Sequence, residues 1–144
     1  MEAIRPHAQF ARAGGQSFGA GFTPIAWDQI PISSGISLNT TTYAFTVSRA
    51  GTYHFDVGMR NGNGPDEWHG VSVTTVGGAV LEKSYATGQV TPTAAEGQTW
   101  HLLASLAADT QYYISLYRQT GMTVVSPGQP LAGWAIVATI TYAS

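Results

Sequence analysis

The chain has 144 residues and a mass of 15.2 kDa, which predicts one domain with a hydrophobic core of its own. It contains no cysteine, so disulfides and thiol chemistry are excluded, and only 10% of its residues are charged. The net charge of −2 argues against a nucleic-acid partner, and no apolar run is long enough to span a membrane.

The first 24 residues have no sustained period, and glycines separate Phe10, Phe18 and Phe22, which is typical of an extended arm that packs on a neighbour. Alternating patterns then predict short strands at residues 25–30, 36–38, 42–47, 52–59, 68–76, 79–85, 100–106, 111–119, 122–125 and 134–142. No segment has a helical period. The chain is therefore predicted to be all-β: a single-domain antiparallel jelly-roll sandwich of about 8–10 strands. The arm is placed at residues 1–24 and the jelly-roll domain at residues 25–144.

Two turn signals stand out between these predicted strands. The alternating runs 43–47 and 53–57 flank a Ser-Arg-Ala-Gly segment that ends at Gly51, which predicts a hairpin with a glycine turn. Gly77 and Gly78 predict a second hairpin between the strands at 68–76 and 79–85.

The order of the motifs resembles the complement-type globular head and the tumour-necrosis-factor-like (TNF-like) jelly roll, as found in phage virion proteins. The resemblance rests on Ala-Gly-Thr-Tyr-His-Phe at residues 50–55, a leucine-rich strand at 101–106 before a turn, and Gly-Trp-Ala-Ile-Val at 133–137. It implies a homotrimer whose subunits meet along an axis lined by aromatic and aliphatic side chains. The residues expected on that axis are Tyr112, Ile114, Leu116, Trp134 and Ile136. The alternative is that these side chains are simply core, because each sheet must bury one face.

The histidines offer a weak signal for metal chemistry. His54 and Asp56 lie two residues apart, so they share one face of a strand, as the start of a metal site would. No third ligand follows at a matching spacing, so we expect no metal and no cofactor. The calcium sites of the resembled family are not expected either, because no loop supplies enough acidic ligands.

One loop concentrates polar side chains beside a tryptophan and forms a possible ligand loop for calcium or a glycan: Asn61, Asn63, Asp66, Glu67, Trp68 and His69. Asparagine and glycine are also ordinary turn residues, which is the alternative interpretation. A glycine-rich phosphate loop ending in lysine is missing from the sequence, since its single lysine is Lys83, and we expect no enzymatic activity.

The low charge favours a surface that is buried against other subunits. Together with the resemblance, it suggests a virion structural protein, a bacteriophage capsid decoration or cement protein that bridges capsid subunits. Its partners would be the major capsid protein and its own copies, and it would be made in the host cytoplasm and end on the capsid surface. The expected capsid or subunit contacts are Arg5, His7, Phe10, Phe18 and Phe22. The alternative is the receptor- or glycan-binding head of a tail fibre or spike, acting through the Trp68 loop.

Overall fold

The structure, a computed structural model, describes residues 5–60, 69–86, 97–118, 122–124 and 135–144. Strands account for all the regular secondary structure in these ranges, and none of the described segments forms a helix long and apolar enough to cross a membrane. The strands are β1 His7–Arg12, β2 Gln16–Phe18, β3 Gly21–Pro24, β4 Gln29–Ser34, β5 Ile36–Leu38, β6 Phe45–Val47, β7 Gly51–Arg60, β8 His69–Thr75, β9 Val80–Ala86, β10 Gly97–Leu106, β11 Tyr112–Arg118, β12 Met122–Val124 and β13 Ile136–Tyr142.

Two antiparallel sheets form a sandwich, which confirms the predicted fold class. The first sheet has five strands in the order β10-β7-β13-β1-β4. The second has the order β5-β6-β11-β8-β9, with β3 also pairing with β11, and a short β12-β2 pair lies apart from both. All of the strand pairs among the described residues are antiparallel.

Alternation along the strands builds the core between the sheets. In β7, Tyr53, Phe55 and Val57 are fully buried, whereas His54 and Asp56 on the opposite face are partly exposed. The Phe45 ring of the second sheet lies 6.0 Å from the Phe55 ring of the first, in a tilted contact between the two layers. Burial of such side chains supplies the main stabilisation of the fold.

Among the described residues, strand β1 contradicts the extended arm that was predicted at residues 1–24. It lies inside the first sheet, paired with β13 on one side and with β4 on the other. Ala8 and Phe10 point into the core, and Phe18 of β2 is also buried. The aromatic side chains that suggested an arm therefore pack mostly within their own chain. The glycines between them lie where β1, β2 and β3 end or begin.

The predicted strand at residues 25–30 is also wrong in its position. Pro24 pairs with Ser115 in the second sheet, and Gln29 pairs with Ala11 in the first, so residues 25–28 cross from one sheet to the other. Ile25 and Trp27 are fully buried because this crossing runs through the edge of the core. Strand β4 then begins at the sheet edge, where a proline such as Pro31 is tolerated.

The connection at residues 48–50 joins two sheets rather than two strands of one hairpin. β6 pairs with β5 and β11 in the second sheet, while β7 pairs with β10 and β13 in the first. The hairpin predicted there is therefore wrong. The hairpin predicted at Gly77 and Gly78 is confirmed by the β8-β9 pairing, and Gly78 adopts a φ of 97°, which glycine tolerates.

A buried tyrosine closes this inter-sheet corner. The Tyr53 hydroxyl donates a 2.6 Å hydrogen bond to the Arg49 carbonyl oxygen, and the Arg49 guanidinium lies 4.2 Å from the centre of the Tyr142 ring. Burial raises the pKa of the Tyr53 hydroxyl above its ordinary value of 10.0; the Tyr142 hydroxyl adds to the rise, and the Arg49 charge opposes it.

A Tyr53→Phe variant should be less stable than the wild type by about 0.5–1.5 kcal/mol at neutral pH, because the Arg49 carbonyl loses its donor. A raised pKa in the folded state means that the folded chain holds its proton where the unfolded chain loses it. The stability linked to this proton is complete below the unfolded pKa of about 10 and is lost as the pH rises through the folded pKa. The difference in the free energy of unfolding between the wild type and Tyr53→Phe, measured by urea denaturation, should therefore be smaller above pH 10 than at pH 8. A difference that stays the same at the two pH values would contradict the proposed role of the Tyr53 proton.

Gly51 is required at the start of β7 by close packing. A methyl group on its Cα would meet the Tyr142 ring and lie 2.7 Å from the Ser144 carbonyl oxygen. Gly51→Ala should cost about 1–3 kcal/mol, as overpacking of a filled site does. Gly77→Ala is the matched control, since its nearest neighbour, Thr75 Oγ1, would be 3.8 Å away. Equal thermal midpoints for the two variants would show that the corner relaxes freely.

Candidate interaction surface

The solvent-facing side of the first sheet, called the outer face below, carries two rows of side chains in register across its strands. The first row runs from β10 to β4 through His101, Asp56, Thr139, Gln9 and Ile32. The second row contains Leu103, His54, Thr141 and His7. Neither row contains lysine or arginine. Asp56 is the single carboxylate of the two rows.

Apolar side chains lie at both ends of the outer face. Leu103 on edge strand β10 is 51% exposed, and Ile32 on the opposite edge strand β4 is 54% exposed. Shallow depressions lie beside them: one is lined by His54, His101 and Leu103, and the other by Ile32 together with residues of β1 and β13. Exposed aliphatic side chains on a surface poor in charge are typical of the centre of a protein interface.

Two histidines and an aspartate form a cluster between β7 and β10. Asp56 is directly opposite His101 in the strand register, and the His101 Nδ1 donates a hydrogen bond to Asp56 Oδ1. His54 Nε2 lies 3.4 Å from the same carboxylate oxygen. The two imidazole rings are nearly parallel, with centroids 6.1 Å apart and planes inclined by 10°.

The residues expected to contact a capsid or neighbouring subunit fall into two groups. Phe10 and Phe18 are buried, so their assignment as contacts is corrected: they are core. Arg5 is exposed, and its carbonyl oxygen accepts a 2.9 Å hydrogen bond from His7 Nδ1. Phe22 is 39% exposed, and its ring lies 5.0 Å from that of Tyr117. Arg5, His7 and Phe22 thus remain accessible to a partner.

The residues expected to line a trimer axis are also placed differently. Tyr112, Ile114, Leu116 and Ile136 are all at most 4% exposed, in the core between the two sheets of one chain. Side chains that are buried within the chain offer no surface to another subunit, so the core interpretation is correct for these four. Trp134 lies outside the described residues.

The possible ligand loop is almost entirely outside the described residues, which include neither Asn61, Asn63, Asp66, Glu67 nor Trp68. His69 is the first residue of β8, where its backbone pairs with Arg118. The glycan and calcium expectations for this loop therefore remain sequence predictions.

Comparisons with solved structures place the sandwich among known folds. Murine APRIL superposes with a TM-score of 0.61 at 10% identity, over 96% of this chain and 99% of that one. Eiger TNF from S. frugiperda gives 0.59 at 11% identity, over 98% and 94% of the two chains. Vertex protein P5 of the phage PRD1 gives 0.61 at 13% identity, over 99% and 100%.

The fold is a TNF-like jelly roll. No protein-family model and no curated protein matches the chain by sequence. The resemblance inferred from the sequence motifs is thus confirmed at the level of the fold.

The sequence did not reveal what β10 contributes to the outer face. His101 and Leu103 alternate with the buried Trp100, Leu102 and Ala104, which is a regular strand pattern. The pattern identified the strand but not its neighbour, because the β10-β7 pairing joins distant residues, such as His101 and Asp56, which are 45 positions apart. The signal available was a leucine at a position that alternation places on the solvent side of the strand, two residues after a histidine on the same side.

Proposed function

We propose that this protein is a structural component of a bacteriophage virion, which decorates the capsid as a homotrimer and bridges neighbouring capsid subunits. The observation that carries the proposal is the full-length superposition on PRD1 vertex protein P5, since its name places that jelly roll at the vertex of a phage particle. No catalytic role is part of the proposal.

The outer face of the first sheet is the surface through which we propose that the subunits associate. It takes the role that was expected of Tyr112 and its neighbours. Leu103 and Ile32 supply aliphatic surface, and the rows between them supply hydroxyl, amide and imidazole groups, with Asp56 as their single carboxylate. The low charge of the whole chain, 10% of residues, favours association in the same way.

Contacts to the shell are proposed for two accessible side chains that are not part of the two rows. Arg5 is exposed two residues before β1, and Phe22 is exposed on β3 in the second sheet. Arginine and aromatic side chains often anchor interfaces. A protein that binds only the assembled shell stabilises that state by mass action, so occupancy and capsid stability should rise together.

The test uses particles assembled without this protein. Adding the purified wild-type chain should produce saturable binding at symmetric sites and raise the temperature at which the particles release DNA. Arg5→Ala combined with Phe22→Ala should lower the occupancy while the purified variant keeps its fold. Particles that neither bind the wild-type chain nor gain thermal stability would contradict the proposal.

A further inference from the structure

The His54, Asp56 and His101 cluster on the outer face has the composition of a transition-metal site. Strand alternation places His54 and Asp56 on the same side of β7, and antiparallel register places His101 opposite Asp56 on β10. The neighbouring strand thus supplies a third ligand, which the spacing of His54 and Asp56 alone does not reveal.

The distances suit a small ion. One ligand atom from each side chain can be chosen so that all three lie within 4.8 Å of one another. In a tetrahedral zinc site with bonds of about 2.0–2.1 Å, ligand atoms are about 3.3 Å apart. The separation of 3.4 Å between His54 Nε2 and Asp56 Oδ1 already matches one edge of such a tetrahedron.

The His101 side chain must move to complete the site, and it is the most exposed of the three ligands. A metal lies close to the plane of each imidazole that binds it, and the two rings are now nearly parallel. His101 would exchange its hydrogen bond to Asp56 for a metal bond by tilting its ring. Its side chain is 66% exposed, against 40% for His54 and 37% for Asp56, so little packing opposes this rotation.

We infer that these three side chains bind one Zn²⁺ per chain and leave its fourth coordination position to a ligand from outside the chain. Two imidazole nitrogens and one carboxylate oxygen are typical zinc ligands, whereas calcium and magnesium favour sites built from oxygen. The inference rests on the geometry of one chain and does not depend on the proposed virion role.

The experiment titrates ZnCl₂ into the full-length, tag-free protein after chelator treatment, with isothermal calorimetry as the readout. One ion per chain should bind saturably. His101→Ala and His54→Ala should each weaken binding by about 100-fold or more, since loss of even an outer-shell partner typically costs 10–100-fold. His101→Gln, which preserves the size of the side chain, should weaken binding similarly, and the thermal midpoint of each metal-free variant checks its fold.

His7→Ala is the matched control, because His7 lies on the same face but outside the cluster. It should bind zinc like the wild type. Co²⁺ in place of Zn²⁺ should give the strong visible absorption of a tetrahedral site, and this should vanish in His101→Ala. An absence of saturable binding, or an equal loss in the His7 and His101 variants, would overturn the inference.

Discussion

Replacement of Phe10 by alanine is expected to lower the free energy of unfolding by about 3–5 kcal/mol, the range for removing a buried aromatic ring. The Phe10 side chain is fully buried, and its ring lies 6.1 Å from that of Trp27 and 6.0 Å from that of Phe45. The cavity would open where β1 of the first sheet faces the second sheet. A loss of this size is a large part of the stability of a typical domain.

The matched control is Phe22→Ala, which removes the same ring from a position 39% exposed to solvent. It should cost about 1 kcal/mol or less, because surface substitutions seldom cost more. Equilibrium urea unfolding at one protomer concentration, followed by tryptophan fluorescence, measures both variants. Small and equal losses would mean that β1 is a detachable arm after all.

Replacement of Leu103 and Ile32 by aspartate is expected to convert the proposed trimer into monomers. Each change puts a carboxylate on an exposed aliphatic position at one end of the outer face. In an interface each carboxylate would be desolvated, and two such charges per subunit should weaken association by several orders of magnitude. The fold should persist, because both side chains point away from the core.

Analytical ultracentrifugation across a range of concentrations measures this effect. Val76→Asp is the matched control, since Val76 is 46% exposed at the turn between β8 and β9, away from the outer face. It should remain a trimer. A wild-type chain that stays monomeric, or a double variant that still forms trimers, would rule out this face as the interface.

Most of the strands after residue 50 could be predicted from the sequence, because alternation of side chains is a local property. The spacing of Tyr53, Phe55 and Val57 predicts the buried face of β7, and that of Ile114 and Leu116 predicts the buried face of β11. The jelly-roll fold could be predicted because these strand patterns follow one another in the order found in a known jelly-roll family.

The errors have a shared physical cause: alternation does not reveal which strand pairs with which. The link at residues 48–50 looks like a hairpin turn, yet it joins strands of different sheets. As a result, Phe45 and Phe55 face each other across the core instead of lying side by side in one sheet. Phe10 looks like part of an arm because the strand that holds it, β1, pairs with β13, more than a hundred residues later in the chain.

Only part of the His54, Asp56 and His101 cluster could be predicted, because the sequence does not reveal strand pairing. His54 and Asp56 share a face by local geometry, whereas His101 reaches them only through the register of β7 and β10. Exposed Leu103 and Ile32 become a surface only when the sheet order places them at opposite edges of one face.

Cryo-electron microscopy of native particles, after mass spectrometry has identified this chain in them, tests the virion role most directly. The account predicts density for threefold jelly-roll assemblies at symmetric positions on the capsid, with the outer faces of the first sheets turned toward one another. Density confined to the tail tip would contradict capsid decoration and favour host recognition instead. Absence of the chain from purified particles would contradict any structural role in the virion.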